Sequence, residues 1–300
     1  MSNIAKLYDN FKDKCNCLLD ETMSRHTTFK VGGKADIILN PNTALQVGEI
    51  IAFCNENGIR WQVIGNGSNL LVGDNGIRGA VICIGSAMSE ICVNENEIVC
   101  GAGATLTSVC NTALAHSLSG LEFAFGIPGN MGGAIYMNAG AYGGEMKDVT
   151  KSVEYINESG ELCEVSGEQL DFSYRHSFFS DKKCVIVKVT LLLEKGDKTL
   201  IKEKMDDLIS RRREKQPLEF PSAGSTFKRP EGNFAGALIE QCSLKGYSVG
   251  GAQVSEKHAG FVINRGNATC SEIEELIEYI KKTVLNETGY SLECEIKKVE

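Results

Sequence analysis

The sequence predicts a mixed α+β protein, and three features of its 300 residues indicate this class. Short β-branched runs such as 81–84 and 153–156 have the length and composition of strands. Between them lie stretches such as 43–57, whose apolar residues recur at helical spacing. Glycine-rich blocks interrupt both kinds of element. The length is sufficient for two or three domains with sizeable cores.

Each element has a local signal. The predicted strands are 35–39, 61–64, 81–84, 98–100, 153–156, 185–193 and 291–299. A helix over 43–57 is expected to stop at Gly58. The side chains expected to face the core are those of Leu45, Val47, Ile50, Ile51 and Cys54. Another is expected near 105–116.

Two further helices complete the prediction. One begins at Thr199 and ends in the basic run before Pro217. Its apolar residues are expected to lie on one face: Leu200, Ile201, Met205, Leu208 and Ile209. The last is expected to start with a capping box of Ser271 and Glu274 and to stop at Gly289. Its predicted apolar stripe is Ile273, Leu276, Ile277, Ile280 and Val284.

The change to a long helical period at Thr199 predicts a domain boundary. We expect a first domain over 1–198, in two subdomains of about 1–85 and 86–198, and a C-terminal α+β domain over 199–300.

Composition excludes several classes of protein. The net charge of −8 disfavours binding to nucleic acid or anionic lipid. The first nine residues mix charged with apolar side chains, and no run approaches the ~18 apolar residues of a membrane span. We therefore expect a cytoplasmic protein without membrane insertion. The twelve cysteines are expected to be reduced and mostly buried, and the spacing of Cys15 and Cys17 does not suit a metal site.

The first glycine block is Val-Ile-Gly-Asn-Gly-Ser-Asn-Leu-Leu at 63–71, directly after a predicted strand. Glycine lets backbone amides approach a pyrophosphate closely, and neutral donors bind it without burying a charge. The spacing differs from dinucleotide-binding and Walker loops. Such a turn is also a common plain hairpin connection, so this block alone leaves both interpretations open.

The second block, 120–143, has seven glycines interleaved with aromatic residues. This composition is typical of a backbone that lies against a flat ligand. A tightly packed core turn is the alternative. The length of the segment, and its pairing with the first block, favour a ligand.

Together these blocks resemble the FAD-binding (PCMH-type) domain of the vanillyl-alcohol-oxidase superfamily and, within it, the family of UDP-N-acetylenolpyruvoylglucosamine reductases. The resemblance covers nearly the whole chain from about residue 24. The segments that carry it are His-Thr-Thr-Phe-Lys-Val-Gly-Gly-Lys-Ala-Asp at 26–36, the blocks at 63–71 and 126–134, Tyr-Arg-His-Ser-Phe-Phe at 174–179, Lys-Gln-Pro at 215–217, 221–230 and Leu-Glu-Cys-Glu-Ile at 292–296.

The resemblance implies roles for individual residues. The implied catalytic trio is Arg175, Ser225 and Glu295. Tyr174, Lys215 and Arg229 are implied to contact the UDP-sugar. Noncovalent FAD is implied to be held by Gly65, Asn66, Gly67, Ser68, Asn69, Ile127, Pro128, Gly129, Gly132 and Gly133.

The implied reaction uses NADPH to reduce the flavin, which then passes hydride to the β-carbon of an enol ether. Negative charge develops on the substrate carboxylate and α-carbon. Arg175 can bind that carboxylate bidentately, and a protonated Glu295 can donate to the developing enolate. Ser225 is then placed to protonate the α-carbon. The product is the lactyl ether UDP-N-acetylmuramate, a peptidoglycan precursor, and a monomer is expected.

The sequence departs from the family pattern at a few positions. Cys294 and Ile296 stand where Pro and Val are usual, so the choice of Glu295 over Glu293 depends on register. The short stretch between Phe179 and Phe220 contains no inserted tyrosine-bearing loop like that of longer members, so the chain resembles the short type of the family.

Two alternatives compete with this interpretation. One is another flavoenzyme of the superfamily that oxidises a small alcohol or hydroxy acid. Such enzymes often attach FAD to a histidine, and none of the four histidines lies at the expected position in the first glycine block. The other is a nucleotide-binding protein without catalytic activity, which would not need the Arg, Ser and Glu trio.

Overall fold

The computed structural model describes residues 2–300, which form two compact units interleaved along the chain. Unit 1 comprises the chain up to Leu19, Asp36–Asn66 and Gly79–Arg212. Unit 2 comprises Asp20–Ala35, Gly67–Arg78 and Arg213–Glu300. The predicted domains, 1–198 and 199–300, are contiguous instead, and that division stays a prediction.

The described chain alternates helices and strands. The helices are α1 (Asn3–Phe11), α2 (Ala44–Glu56), α3 (Leu106–Ala115), α4 (Met131–Tyr136), α5 (Lys198–Lys215), α6 (Ala235–Gln241) and α7 (Cys270–Thr288). The strands are β1 (Asn16–Thr22), β2 (Lys34–Asn40), β3 (Trp61–Ile64), β4 (Leu70–Val72), β5 (Ile77–Cys83), β6 (Ile91–Asn94), β7 (Glu97–Gly101), β8 (Leu118–Ser119), β9 (Gly140–Ala141), β10 (Gly144–Glu145), β11 (Thr150–Ile156), β12 (Leu162–Ser166), β13 (Val185–Leu192), β14 (Glu194–Lys195), β15 (Ser248–Val249), β16 (Ala252–Val254), β17 (Val262–Asn264) and β18 (Lys297–Val299).

Unit 1 is built on two main sheets. The first has the strand order β1-β2-β5-β3, with β3 parallel to β5. The second is antiparallel, in the order β12-β11-β13-β7-β6. The first strand order needs a crossover between β3 and β5, which is why a loop follows β3 at the first glycine block. One continuous apolar core fills this unit.

Unit 2 has a smaller core of its own, in which α6 and α7 accompany the antiparallel sheet β15-β16-β17. A second pair joins β18 in parallel to β4, with Lys297 opposite Leu70. Unit 2 therefore depends on chain segments that are far apart in sequence.

Most predicted elements are present, and the apolar stripe of α7 is buried as expected. Two inward-facing predictions are wrong: Leu45 is 73% exposed and Leu200 is 65% exposed. The terminal strand is also shorter than predicted, since only Lys297–Val299 is a strand. Helix α1 and strand β1 were not anticipated.

The predicted capping box of α7 is two residues out of register. The N-cap is Thr269, whose hydroxyl accepts from the Glu272 amide, and Glu272 accepts from the Thr269 amide. Ser271 has a different partner, because its hydroxyl and amide both donate to the Asp74 carboxylate. The Cys270 amide also donates to Asp74, at 2.7 Å. The first three amides of α7, which have no partner within the helix, are thereby satisfied.

Among residues 2–300, no helix combines the length and the apolar character that crossing a bilayer requires.

Candidate active site

The two glycine blocks of unit 1 lie side by side. The Asn66 side-chain amide donates to the carbonyl oxygen of Pro128 at 3.2 Å. A β-carbon placed on Gly65 would lie 3.7 Å from the side chain of Asn130. The two blocks are therefore in contact at these residues, where the end of β3 meets the loop before α4.

The second block is held by backbone bonds to residues 102–106. The Leu106 amide donates to the Gly129 carbonyl, and the Met131 amide donates to the Ala104 carbonyl. Gly132 is tightly packed, because a β-carbon there would lie only 3.0 Å from the Ala102 β-carbon. Gly133 differs: it is exposed, and a β-carbon there would meet no atom within 4 Å. Only Gly133 of this pair leaves its backbone open to a ligand.

Asn130 is a structural residue of this loop that sequence reasoning passed over. Asparagine before a helix is a typical N-cap. Here its side chain makes no capping bond to α4 and instead donates to the Ile84 carbonyl at 3.1 Å. The buried Asn130 thus fixes the loop to the end of β5.

Helix α5 covers another part of the second block. The Ile209 side chain and Arg212 both lie against Gly126, whose φ is +85°. Burial lowers the pKa of the Arg212 guanidinium, and Tyr142 opposes that shift. At the other end of the block the buried Glu122 accepts from Ser119 and Gly120 and pairs with Lys204 of α5 at 3.3 Å. A basic helix is thereby fixed beside this loop.

The first block continues in unit 2 with Gly67, Ser68 and Asn69. Gly67 has φ +62°, and a β-carbon there would lie 2.1 Å from the His26 carbonyl oxygen, so this position requires glycine. The Thr28 amide donates to the Gly67 carbonyl. Asn69 is tied to the chain end, since its side chain donates to the Glu295 carbonyl and its own carbonyl accepts from the Lys297 amide.

This loop fits a pyrophosphate group. Within residues 2–300, the amides of Asn66, Gly67 and Ser68 donate to no other backbone group. Consecutive amides that remain available as donors suit a bound anion without burying a countercharge. Gly67, which cannot carry a side chain here, keeps the backbone accessible. The residues present are therefore compatible with the phosphates of FAD.

Arg175 occupies the tip of a two-residue turn in unit 1. Ser173 and His176 exchange backbone hydrogen bonds at 3.1 and 3.2 Å and close the turn. Arg175 has φ +56°, which a long side chain rarely adopts. Its guanidinium lies 5.2 Å from the centre of the Tyr174 ring, and half of Tyr174 is exposed. A strained backbone conformation at a turn is typical of functional positions.

Ser225 and Glu295 lie on neighbouring segments of unit 2. The Glu295 amide donates to the Thr226 carbonyl at 2.9 Å, and Phe227 forms an antiparallel bridge with Cys294. Ser225 follows Gly224, whose φ is +76°, and is half-buried. The backbone thus brings two of the three predicted catalytic residues together. The third, Arg175, belongs to unit 1.

The environments of the two terminal glutamates differ. The Glu293 side chain is 74% exposed and pairs with Lys228 at 3.1 Å. Glu295 is only 9% exposed. The contrast supports the choice of Glu295 over Glu293.

His258 supports the Ser225 segment. The Thr226 amide donates to the Gly260 carbonyl, and the Gly260 amide donates to Nδ1 of His258 at 3.1 Å. Burial lowers the pKa of His258. An unprotonated Nδ1 is required to accept this bond, so the lowered pKa preserves it at neutral pH.

The predicted substrate contacts are exposed side chains. Lys215 ends α5 and is exposed, as expected for a residue that meets a ligand from solvent. Arg229 is also exposed, and its guanidinium lies 4.5 Å from the centre of the Phe234 ring. Phe234 was not predicted as a site residue, although it is 59% exposed. The sequence signal that could have identified Phe234 is its position, five residues after the arginine predicted to bind the ligand.

Comparison with known proteins agrees with this geometry. Residues 35–166 match the family model of an FAD binding domain, and residues 216–299 match that of the UDP-N-acetylenolpyruvoylglucosamine reductase C-terminal domain. The chain is 50% identical to the UDP-N-acetylenolpyruvoylglucosamine reductase of Caldanaerobacter subterraneus over 93% of this chain and 92% of that protein. It is 48% identical to that of Clostridium botulinum, over 98% and 96%.

A solved structure shows the same likeness in three dimensions. The reductase (MurB) from Thermus caldophilus superimposes with a TM-score of 0.81 at 33% identity, over 95% of this chain and 99% of that one. The two family-model matches include both glycine blocks and the paired segments of Ser225 and Glu295. The chain therefore belongs to the UDP-N-acetylenolpyruvoylglucosamine reductase family.

Proposed function

We propose that this protein reduces the enolpyruvyl ether of UDP-N-acetylglucosamine to UDP-N-acetylmuramate in the synthesis of peptidoglycan precursors. NADPH is the reductant and FAD the cofactor. The observation that carries the proposal is the pairing of the Ser225 segment with the buried Glu295, in a chain of this reductase family. The backbone bond between Glu295 and Thr226 joins a hydroxyl-bearing segment to a carboxyl-bearing one, which supports a protonation step at this pair.

The glycine loops are the proposed cofactor site. When bound, FAD supplies the transfer of hydride from NADPH to the substrate. The backbone of Gly65–Asn69 would hold its pyrophosphate through free amides, and residues 127–133 would bound the same ligand. The bond between Asn66 and Pro128 supports the proposal, since it joins the two loops.

The three catalytic residues have distinct proposed roles. Arg175 binds the carboxylate of the enolpyruvyl group and meets the charge that develops there. Glu295, protonated, donates to the developing enolate oxygen. Ser225 gives its proton to the α-carbon, a step open to a weakly acidic hydroxyl because the enediolate is strongly basic. With hydride on the β-carbon and a proton on the α-carbon, the product is the lactyl ether, which then dissociates.

Three exposed side chains are the proposed anchors for the UDP moiety. Lys215 and Arg229 neutralise the diphosphate, and Tyr174 donates to it through its hydroxyl. Their exposure supports this role in a protein of net charge −8, because an anionic substrate needs local cations to overcome the overall repulsion.

The remaining assignments follow from this chemistry. We propose that residues 199–300 form the substrate-binding domain and 1–198 the FAD-binding domain. One chain carries all three catalytic residues, so a monomer is sufficient for the reaction. A cytoplasmic location follows from the use of NADPH and a UDP-sugar.

A direct assay tests the proposal. The purified protein should be yellow, and NADPH oxidation should depend on the UDP-N-acetylglucosamine enolpyruvyl ether. Mass spectrometry should find a product heavier by two hydrogens. A colourless protein, or NADPH oxidation indifferent to the ether, would contradict it. Reduction of the flavin by a small alcohol or hydroxy acid would favour the other flavoenzyme class instead.

A further inference from the structure

The backbone of the Arg175 turn is energetically unfavourable on its own. Arg175 has φ +56°, and a non-glycine residue in this left-handed region is strained and persists only where the surroundings fix it. The exchanged bonds of Ser173 and His176 close the turn, but a two-residue turn alone does not hold its position relative to the rest of a protein. Other contacts must therefore fix the turn.

Those contacts come from residues 136–138, which follow α4. The Asn138 side-chain amide donates to the Ser173 carbonyl at 3.0 Å, at the first corner of the turn. The Ser177 hydroxyl donates to the Tyr136 carbonyl at 2.7 Å, beyond the second corner. One short segment thus holds both ends of the Arg175 turn.

Every hydrogen-bonding group of the Asn138 side chain has a partner. It is 1% exposed, and its amide nitrogen also donates to Glu145 Oε2 at 2.8 Å. Its side-chain oxygen accepts from the Lys147 amide at 2.9 Å. Both N–H donors and the oxygen of the side chain are therefore used, which defines its orientation.

Helix α4 connects this segment to the second glycine block. It begins at Met131, two residues after Gly129, and ends at Tyr136, a length of about 9 Å at 1.5 Å per residue. Buried Met131, Ala134 and Ile135 hold it against the core. The position of the Arg175 turn is therefore coupled to the position of the glycine loop through a rigid helix.

We infer that Asn138 is a positioning residue for the reaction: it fixes the Arg175 guanidinium at the distance from the flavin site that the substrate carboxylate requires. The inference rests on the proposed function. Without the bond to the Ser173 carbonyl, the turn loses its first anchor and the guanidinium becomes mobile. Misplacement of a binding group by about 1 Å can cost a hundredfold in rate.

Asn138→Gly is the most informative change. Asn138 has φ +45°, which glycine adopts without strain, so the variant loses the side chain and keeps the backbone. We expect a turnover with the enol ether about 10- to 100-fold slower. Flavin content and the rate of flavin bleaching by NADPH should remain normal, because neither involves Arg175.

A double-variant cycle separates positioning from a general structural effect. In an Arg175→Ala background, Asn138→Gly should cause little further loss of turnover, since it acts through the arginine. Asn267→Gly is the matched control: Asn267 has φ +55° and is exposed, and its replacement should leave all rates unchanged. If Asn138→Gly does not fold, the near-isosteric Asn138→Asp, which lacks the amide donors, has the same expected results.

Two results would overturn the inference while the proposed function stands. One is normal turnover by Asn138→Gly; the other is full additivity with Arg175→Ala. Normal turnover by Arg175→Ala would remove the arginine from the mechanism and the inference with it. Failure of the wild-type protein to reduce the enol ether would instead contradict the proposed function.

Discussion

The amide of Glu295 donates a hydrogen bond to the carbonyl of Thr226, the residue directly after Ser225. This bond sets the register between the segment of the proposed proton donor and the C-terminal glutamate. It also leaves Glu293 at the surface with Lys228. Ser225 and Glu295 are proposed to act only when the substrate is reduced. A change at either residue should therefore slow that half-reaction and leave the reduction of the flavin by NADPH unaffected.

Ser225→Ala should still allow NADPH to bleach the flavin at close to the normal rate. Turnover of the enol ether should fall by about 10²–10⁴-fold, because general-acid catalysis typically contributes that much. Stopped-flow absorbance, first with NADPH alone and then with substrate added to the reduced enzyme, measures both steps. Ser222→Ala, three residues upstream, is the control. Normal reoxidation by substrate in Ser225→Ala would remove the proposed role.

The absence of a histidine at the attachment position leads us to expect noncovalent FAD. Acid or heat precipitation should release all of the yellow colour into the supernatant. Phosphodiesterase treatment should then raise the fluorescence of the released flavin, as conversion of FAD to FMN does. Colour that stays in the pellet, or FMN as the released species, would contradict this expectation.

Gly67→Ala should lower flavin occupancy and stability together. The new β-carbon would meet the His26 carbonyl oxygen at 2.1 Å, so the backbone of the proposed pyrophosphate loop must shift. Gly167→Ala is the matched control, because Gly167 has a similar φ of +54° but open space around the β-carbon. Flavin absorbance relative to protein measures occupancy. Equal occupancy in the two variants would show that the Gly67 backbone does not shape the cofactor site.

Lys215→Ala should raise the KM for the UDP-sugar and leave flavin content unchanged, since it removes one cation from the proposed diphosphate site. Lys198→Ala, at the exposed start of the same helix, controls for the loss of charge. Steady-state kinetics with varied substrate distinguishes the two. Equal KM values in both variants would identify Lys215 as an ordinary solvated helix end.

Asp74→Asn should destabilise the protein by about 0.3–1 kcal/mol, the usual contribution of a negative charge at a helix N-terminus. Burial acts to raise the pKa of Asp74, but its bonds to Ser271 and Cys270 hold that pKa below the ordinary value of 3.8. A lowered pKa stabilises the fold above pH 3.8, and this contribution is lost as the pH falls further.

Urea titrations of both proteins at several pH values measure the difference. The gap in midpoint between wild type and Asp74→Asn should be largest near neutral pH and should shrink below pH 3.8. The exposed Asp13→Asn should show no comparable gap. A gap that is constant with pH would mean that the charge of Asp74 does not stabilise α7.

The sequence predicted the elements better than the orientation of their first turns. Leu45 and Val47 were both expected to face inward, yet two residues along a helix differ by about 200° in direction. Val47 is buried, so Leu45 faces solvent. The α7 cap was misplaced because Ser271 and Thr269 are both suitable N-caps, and only the distant Asp74 decides between them.

The candidate site was predictable where motifs are continuous and not where contacts are long-range. Both glycine blocks were identified from composition, and their pairing is present in the structure at Asn66 and Pro128. The strained turn of Arg175 was not foreseen, since arginine has no local preference for a positive φ. Asn138 was one polar residue in a glycine-rich block, and its role depends on Ser173, with which it shares no sequence motif.

The interleaving of unit 2 has a consequence for synthesis on the ribosome. Asn69 and Glu295 are 226 residues apart along the chain, and Asp74 and Cys270 are 196 apart. At about 5–20 residues per second, the early segments wait on the order of 10–45 s for these partners to be translated. During that time β4 has an open edge and the Asp74 carboxylate has no helix to cap. Unit 2 must therefore be the last part of the nascent chain to become native, and the proposed cofactor loop at Gly67–Asn69 reaches its final structure with it.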